Sequence, residues 1–129
     1  MQRASNYWIA TRGAGFPSSR PVWGIWQSPE LWFSTGSAIG TRIAGDERVQ
    51  VNLESADELV IVEGFARPLA GEHAGEWARE YNHKYGWDMP ESVSGVFAVT
   101  PKRVLAWIVD PSGLDGGALF SNSATEWRF

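Results

Sequence analysis

Val49 to Ser55, "VQVNLES", alternates apolar and polar residues without a break. A period of two puts Val49, Val51 and Leu53 on one face and Gln50, Asn52 and Glu54 on the other. A strand with one buried and one wet face belongs in an antiparallel sheet. "SADE" turns the chain, and Leu59 to Arg67, "LVIVEGFAR", follows as a nearly continuous apolar run. Such a run predicts a central strand covered on both faces. Gly64 within it predicts a bulge or sharp bend, which a small closed barrel needs. Glu63 interrupts the apolar run and must be paired or wet. A nearby arginine or backbone donor is its plain partner; a general base or substrate anchor is the functional alternative.

Other segments repeat the pattern. "NYWIAT" (Asn6 to Thr11) reads as a first strand, "RPVWGIW" (Arg20 to Trp26) as a second and Leu31 to Thr35 as a third, with "QSPE" as the turn between the last two. Gly95 to Thr100 and Arg103 to Val109 read as two more strands with "PK" at the corner, and "TEWRF" as a last one. "DPSGLDGGALFSNSA" reads as a long irregular loop. Gly71 to Tyr85 has helical spacing: Trp77, Tyr81 and Tyr85 recur every four residues, with Ala74 and Ala78 on the same face. Glu76, Glu80 and Lys84 occupy the polar side, where Glu80 and Lys84 have the spacing of an oriented ion pair. Gly86 stands where a helix ends. Strands, one helix, then more strands, all with short connections, predict a mainly β chain: a six- to eight-stranded antiparallel barrel with one long packing helix at about residues 71–85.

At 129 residues the chain fits one domain, 1–129. The absence of cysteine excludes disulfides, zinc–thiolate sites and a thiol nucleophile. A net charge of −4 argues against a reader of nucleic-acid backbones. No apolar run has the length of a membrane helix, and "MQRASNYW" lacks a signal peptide's apolar region. A soluble, cytoplasmic protein is therefore the expectation. His73 and His83, ten residues apart, lack the spacing of a helical metal site, and no metal is expected.

The six segments "NYWIAT", "RPVWGIW", "LWFSTG", "DERVQVNLESADELVIVEGFAR", "YNHKYGWDMP" and "TEWRF" together resemble the pyridoxamine 5'-phosphate oxidase-like proteins, including the deazaflavin (F420)-dependent actinobacterial branch. The resemblance covers nearly the whole chain. It implies a split β-barrel, usually a homodimer, with FMN or F420 in a groove between subunits. It implies an oxidoreductase whose substrate the sequence does not name. The alternative is a barrel that has lost its cofactor and serves as a small-molecule binding or structural protein.

The resemblance places the phosphate loop at Ser34 to Arg42. Ser34, Thr35, Gly36 and Ser37 keep the hydroxyls and the flexible turn. Ile39 falls on the family's lysine position, Thr41 on an arginine position and Arg42 on an asparagine position. Hydroxyls, helix-terminal amides and Arg42 form one possible phosphate site. A polar turn with Ser37 as helix N-cap is the other reading. Trp23 and Gly24 are placed beside the cofactor ring, Gly24 leaving room for a flat ligand or for another backbone. Trp127 and Arg128, near the chain's end, would return to the dimer interface, where Arg128 could supply charge from the partner; Arg20 and Lys102 are weaker candidates. No catalytic residue is indicated.

Overall fold

The computed structural model describes residues 1–129. Eight strands and three helices follow in the order β1 (Tyr7–Thr11), β2 (Ser18–Val22), β3 (Gly24–Gln27), β4 (Glu30–Ser34), α1 (Ala38–Gly45), β5 (Arg48–Asn52), β6 (Glu58–Leu69), α2 (Glu72–Tyr85), β7 (Val96–Ile108), α3 (Ala118–Ser123) and β8 (Thr125–Arg128). All pairings are antiparallel, in the order β2-β1-β5-β6-β7-β4-β3, with β8 added beside β7.

"RPVWGIW" is not one strand. It divides at Trp23 into β2 and β3, which are the two opposite ends of that order. Two residues separated by one other lie at most about 7 Å apart at their Cα atoms. The sheet must therefore curl until its edges nearly meet, and Trp23 is the seam. The result is an open, strongly curled half-barrel.

The interior is filled by alternate residues of the strands, as the period of two requires. Tyr7, Ile9, Phe33, Val51, Val62 and Val99 meet there, and α1 closes one end with Ile39 and Ile43. A second core lies outside the barrel. There α2 presses Ala74, Trp77, Ala78 and Tyr81 against Ile25, Trp32, Leu69, Val96 and Ala98. β4 serves both cores, Leu31 and Phe33 facing in and Trp32 facing α2. The apolar face of α2 is the one its spacing predicts, and Gly86 caps it in the left-handed region, φ 67°.

Three further features differ from the sequence reading. The two late strands are one, β7, which runs 13 residues through a bulge. The bulge pairs Glu63 with Arg103 but Gly64 with Pro101, so Lys102 is the extra residue. The long irregular loop contains α3, whose residues are not buried and whose turn is set by Asp115 accepting from the amides of Gly117 (2.9 Å) and Leu119 (2.7 Å). Lys84 makes no ion pair with Glu80. It folds inward, donating to the carbonyls of Ala4 at 2.6 Å and Gly24 at 2.8 Å.

No helix is long and apolar enough to cross a membrane. Helix α2 covers the outer face only at the β3–β4 side. At the other side Leu59, Ile61, Leu105 and Trp107 lie half-buried in register across β6 and β7, and only the short α3 reaches this region, its Phe120 edge-on to Trp107 at 5.7 Å.

Candidate functional site: a cleft at the barrel seam

The seam is held from three directions. The Tyr85 hydroxyl accepts from the Gly24 amide at 3.1 Å, with the carbonyl oxygens of Ser5 (2.7 Å) and Gly24 (2.8 Å) within donating reach. The Lys84 ammonium sits over the Tyr7 and Tyr85 rings, 5.2 and 5.0 Å from their centroids. Burial pushes the Lys84 pKa down and the Tyr85 pKa up. These contacts fix Gly24, and with it the preceding residue. Trp23 is 43% exposed and stacks on Tyr85 at 5.4 Å and 20°, with Trp87 edge-on at 5.4 Å. Trp87 is carried by a turn that Asn82 clamps, its side chain accepting from the Met89 amide (2.7 Å) and donating to the Met89 carbonyl (2.9 Å).

Beside this aromatic wall lies a cleft of about 360 Å³. Its far side is the turn Ser34–Ser37 and its floor includes Trp77, Tyr81 and Met89, with Arg20 as its cation. A cleft of this size lies at the small end of the range for ligand sites. Trp77 is fully buried, and its indole N–H has no hydrogen-bond partner. That donor lies beneath the cleft surface, enclosed by protein.

The turn itself is ordered by its own hydroxyls. Thr35 Oγ1 and Ser37 Oγ are 2.7 Å apart, the Ser37 amide donates to Thr35 Oγ1 at 3.1 Å, and Ser37 Oγ accepts from the Ile39 amide at 3.3 Å. Ser37 is thus the N-cap of α1. The helix N-terminus, with its partial positive charge, stands at the cleft.

The structure divides the residues singled out from the sequence. Trp23, Ser34, Thr35, Gly36 and Ser37 line one cleft. Gly24 lies behind it: a Cβ there would come 2.8 Å from the Trp32 carbonyl oxygen, so its missing side chain admits strand β4 and not a flat ligand. Thr41 and Arg42 line a different pocket, with Arg12 and Asp46. Arg42 reaches the Phe16 carbonyl at 3.4 Å, away from the hydroxyls. Ile39 is 2% exposed and belongs to the barrel core, so no cation could stand there facing a phosphate. Trp127 and Arg128 sit on β8, Arg128 opposite Arg103, whereas Ser34 pairs with Val96 at the other end of β7. Seven residues of strand separate these points, on the order of 20 Å. Glu63 pairs with Arg103 at 3.3 Å, its plain reading. No group of acidic or histidine side chains forms a metal site.

Sequence spacing did not single out Tyr85 and Lys84 as the residues that hold the seam. The period of Tyr85 announces a packing face and that of Lys84 a polar one; the seam draws both to Gly24.

No family model matches the sequence, and no curated protein does. Solved structures do. A Clostridium acetobutylicum protein related to general stress protein 26, of the pyridoxinephosphate oxidase family, matches with TM-score 0.67 at 10% identity, over 98% of this chain and 87% of that one. An F420 reductase matches with TM-score 0.62 at 19% identity, over 80% and 90% of the two chains. A Mesorhizobium loti FAD-binding protein matches with TM-score 0.61 at 14% identity, over 80% and 85%. The chain has the split-barrel fold of these proteins. At such identities the likeness is one of fold.

Proposed function

We propose that the seam cleft holds a flat, phosphate-bearing cofactor, FMN or F420, and that this split barrel is an oxidoreductase. The observation that carries the reading is a single cleft that joins the half-exposed Trp23 ring to three hydroxyls and the N-terminus of α1. These residue types suit a planar ring ending in an anion. Trp23 and Tyr81 offer apolar faces, and Ser34, Thr35 and the first amides of α1 offer donors for phosphate. Arg20 supplies the cleft's own positive charge. When bound, such a cofactor supplies the hydride chemistry; the chain binds it, orients it and excludes water. That solved neighbours include an F420 reductase and an FAD-binding protein supports a flavin-type group.

A homodimer fits the same reading. The outer sheet face that α2 leaves uncovered carries Leu59, Ile61 and Leu105 beside the Trp107–Phe120 pair, and the Asn52 side-chain oxygen, in register with Ile61, is buried with no partner. A second copy there would bring its own β8, with Trp127 and Arg128, to an interface and could add charge to the partner's cleft.

The second reading is a barrel that has given up its cofactor. Its supporting observations are Ile39 in the core, Arg42 turned to Phe16, and Ser37 already occupied as a cap. Trp23→Ala separates the two. Trp23 is half-exposed, so its removal leaves the cores intact. If the cleft binds the cofactor, FMN or F420 affinity falls about tenfold or more, in line with the loss of one aromatic stack. Unchanged affinity places the cofactor elsewhere and overturns the assignment.

A further inference from the structure

Five of the chain's 11 lysines and arginines line two adjoining pockets that share no residue with the seam cleft. One, about 580 Å³, holds Arg12, Arg48, Lys102 and Arg103; the other, about 380 Å³, holds Arg12 and Arg42. Arg12 belongs to both, so the two form one groove. In a protein of net charge −4 this concentration of cations stands out.

The acidic residues of the groove are already taken. Asp46 holds Arg48 through both carboxylate oxygens, at 2.8 and 2.7 Å. Glu63 holds Arg103 at 3.3 Å, and Arg103 also meets Glu126 at 3.2 Å. Arg12, Arg42 and Lys102 have no carboxylate partner. Arg42 is steadied by the Phe16 carbonyl and lies over Gly13, where a side chain would collide with its guanidinium.

The bulge explains why Lys102 is there. Successive residues of a regular strand point to opposite faces. Lys102 and Arg103 are successive, yet both line the same pocket. The extra residue in β7 turns Lys102 to the outer face, an established effect of bulges. Gly64 makes this possible, because a Cβ there would run into the Thr100 carbonyl oxygen.

We propose that this groove is a second ligand site, for a small organic anion bearing two or more negative charges as phosphate or carboxylate groups. Arg12 and Lys102 form its charged end over an apolar floor of Pro17 and Phe65. Arginine forks suit both oxyanions. The site is separate from the cofactor cleft.

Calorimetric titration tests it, with pyrophosphate and citrate as the two probes, on wild type, on Arg12→Gln/Lys102→Gln and on Arg79→Gln. Arg79 is an exposed arginine bound to Glu91 on α2. Circular dichroism checks that each variant folds. At least one probe should bind wild type with a Kd below about 1 mM at low salt. The double variant should weaken it about tenfold or more, and Arg79→Gln should leave it unchanged. Tighter pyrophosphate marks a phosphate ligand; tighter citrate marks a carboxylate one. Binding of neither probe, equal binding by the double variant, or an equal loss in Arg79→Gln overturns the proposal.

Discussion

The ammonium of Lys84 donates to the carbonyl oxygen of Gly24 at 2.8 Å, joining the last turn of α2 to the first residue of β3. It also reaches Ala4, so one side chain ties the N-terminal segment, the barrel seam and the helix together. No carboxylate neutralises it. Its charge is answered by carbonyl dipoles and two tyrosine rings.

Replacing Lys84 by methionine keeps the length and removes the donors. The Ala4 carbonyl then loses its partner, a cost of about 1–3 kcal/mol. Thermal unfolding should occur roughly 5 °C lower or more. An unchanged Tm means that the seam is held by Tyr85 and packing alone.

Ile39→Lys tests whether a cation at this position can serve the proposed phosphate site. Family likeness places a lysine there, but Ile39 is 2% exposed among Phe33, Ile43 and Phe97. A buried unpaired ammonium should cost on the order of 3–5 kcal/mol. Urea unfolding should show the loss, with no gain in FMN affinity. A stable variant that binds FMN more tightly would show that the loop can turn this position outward.

Glu30 gives the chain an acid-sensitive contact. Desolvation raises its pKa, but hydrogen bonds from Thr100 (2.6 Å) and the Trp32 indole (3.0 Å), with the Arg67 charge, outweigh it and hold the carboxyl below its ordinary 4.5. A lowered folded pKa contributes stability above the unfolded value, and that stability is lost as pH falls through the folded one. Glu30→Gln should therefore be less stable than wild type by about 1–2 kcal/mol near neutrality. The gap should narrow when urea unfolding is repeated at about pH 3. A gap of constant size would mean that the charge of Glu30 contributes nothing.

Gly64→Ala probes the bulge. A methyl group cannot fit against Thr100 and Pro101 without moving backbone. The variant should unfold at least about 2 kcal/mol more easily. Wild-type stability would show that β6 and β7 can part there at no cost.

Strand alternation from Val49, the apolar run with Gly64 and the four-residue spacing of α2 were legible because each reports local geometry, although the strand ends at Asn52 and not at Ser55. The seam was not. Nothing within "RPVWGIW" says that Trp23 separates two opposite sheet edges, since that depends on the whole strand order. The same holds for Lys84, whose helical position is polar by period and buried by tertiary contact. The hydroxyls of Ser34–Ser37 could be read as a cleft-side turn. That Thr41 and Arg42 face another pocket follows from α1 burying Ile39 and Ile43, which turns the intervening residues away.

Equilibrium dialysis of the purified wild-type protein against FMN and, separately, F420 addresses the central claim most directly, with tryptophan fluorescence read on the same samples. At least one cofactor should be retained with a Kd of about 10 µM or tighter and should quench the tryptophan emission. Retention of neither at about 100 µM would contradict a cofactor in the seam cleft.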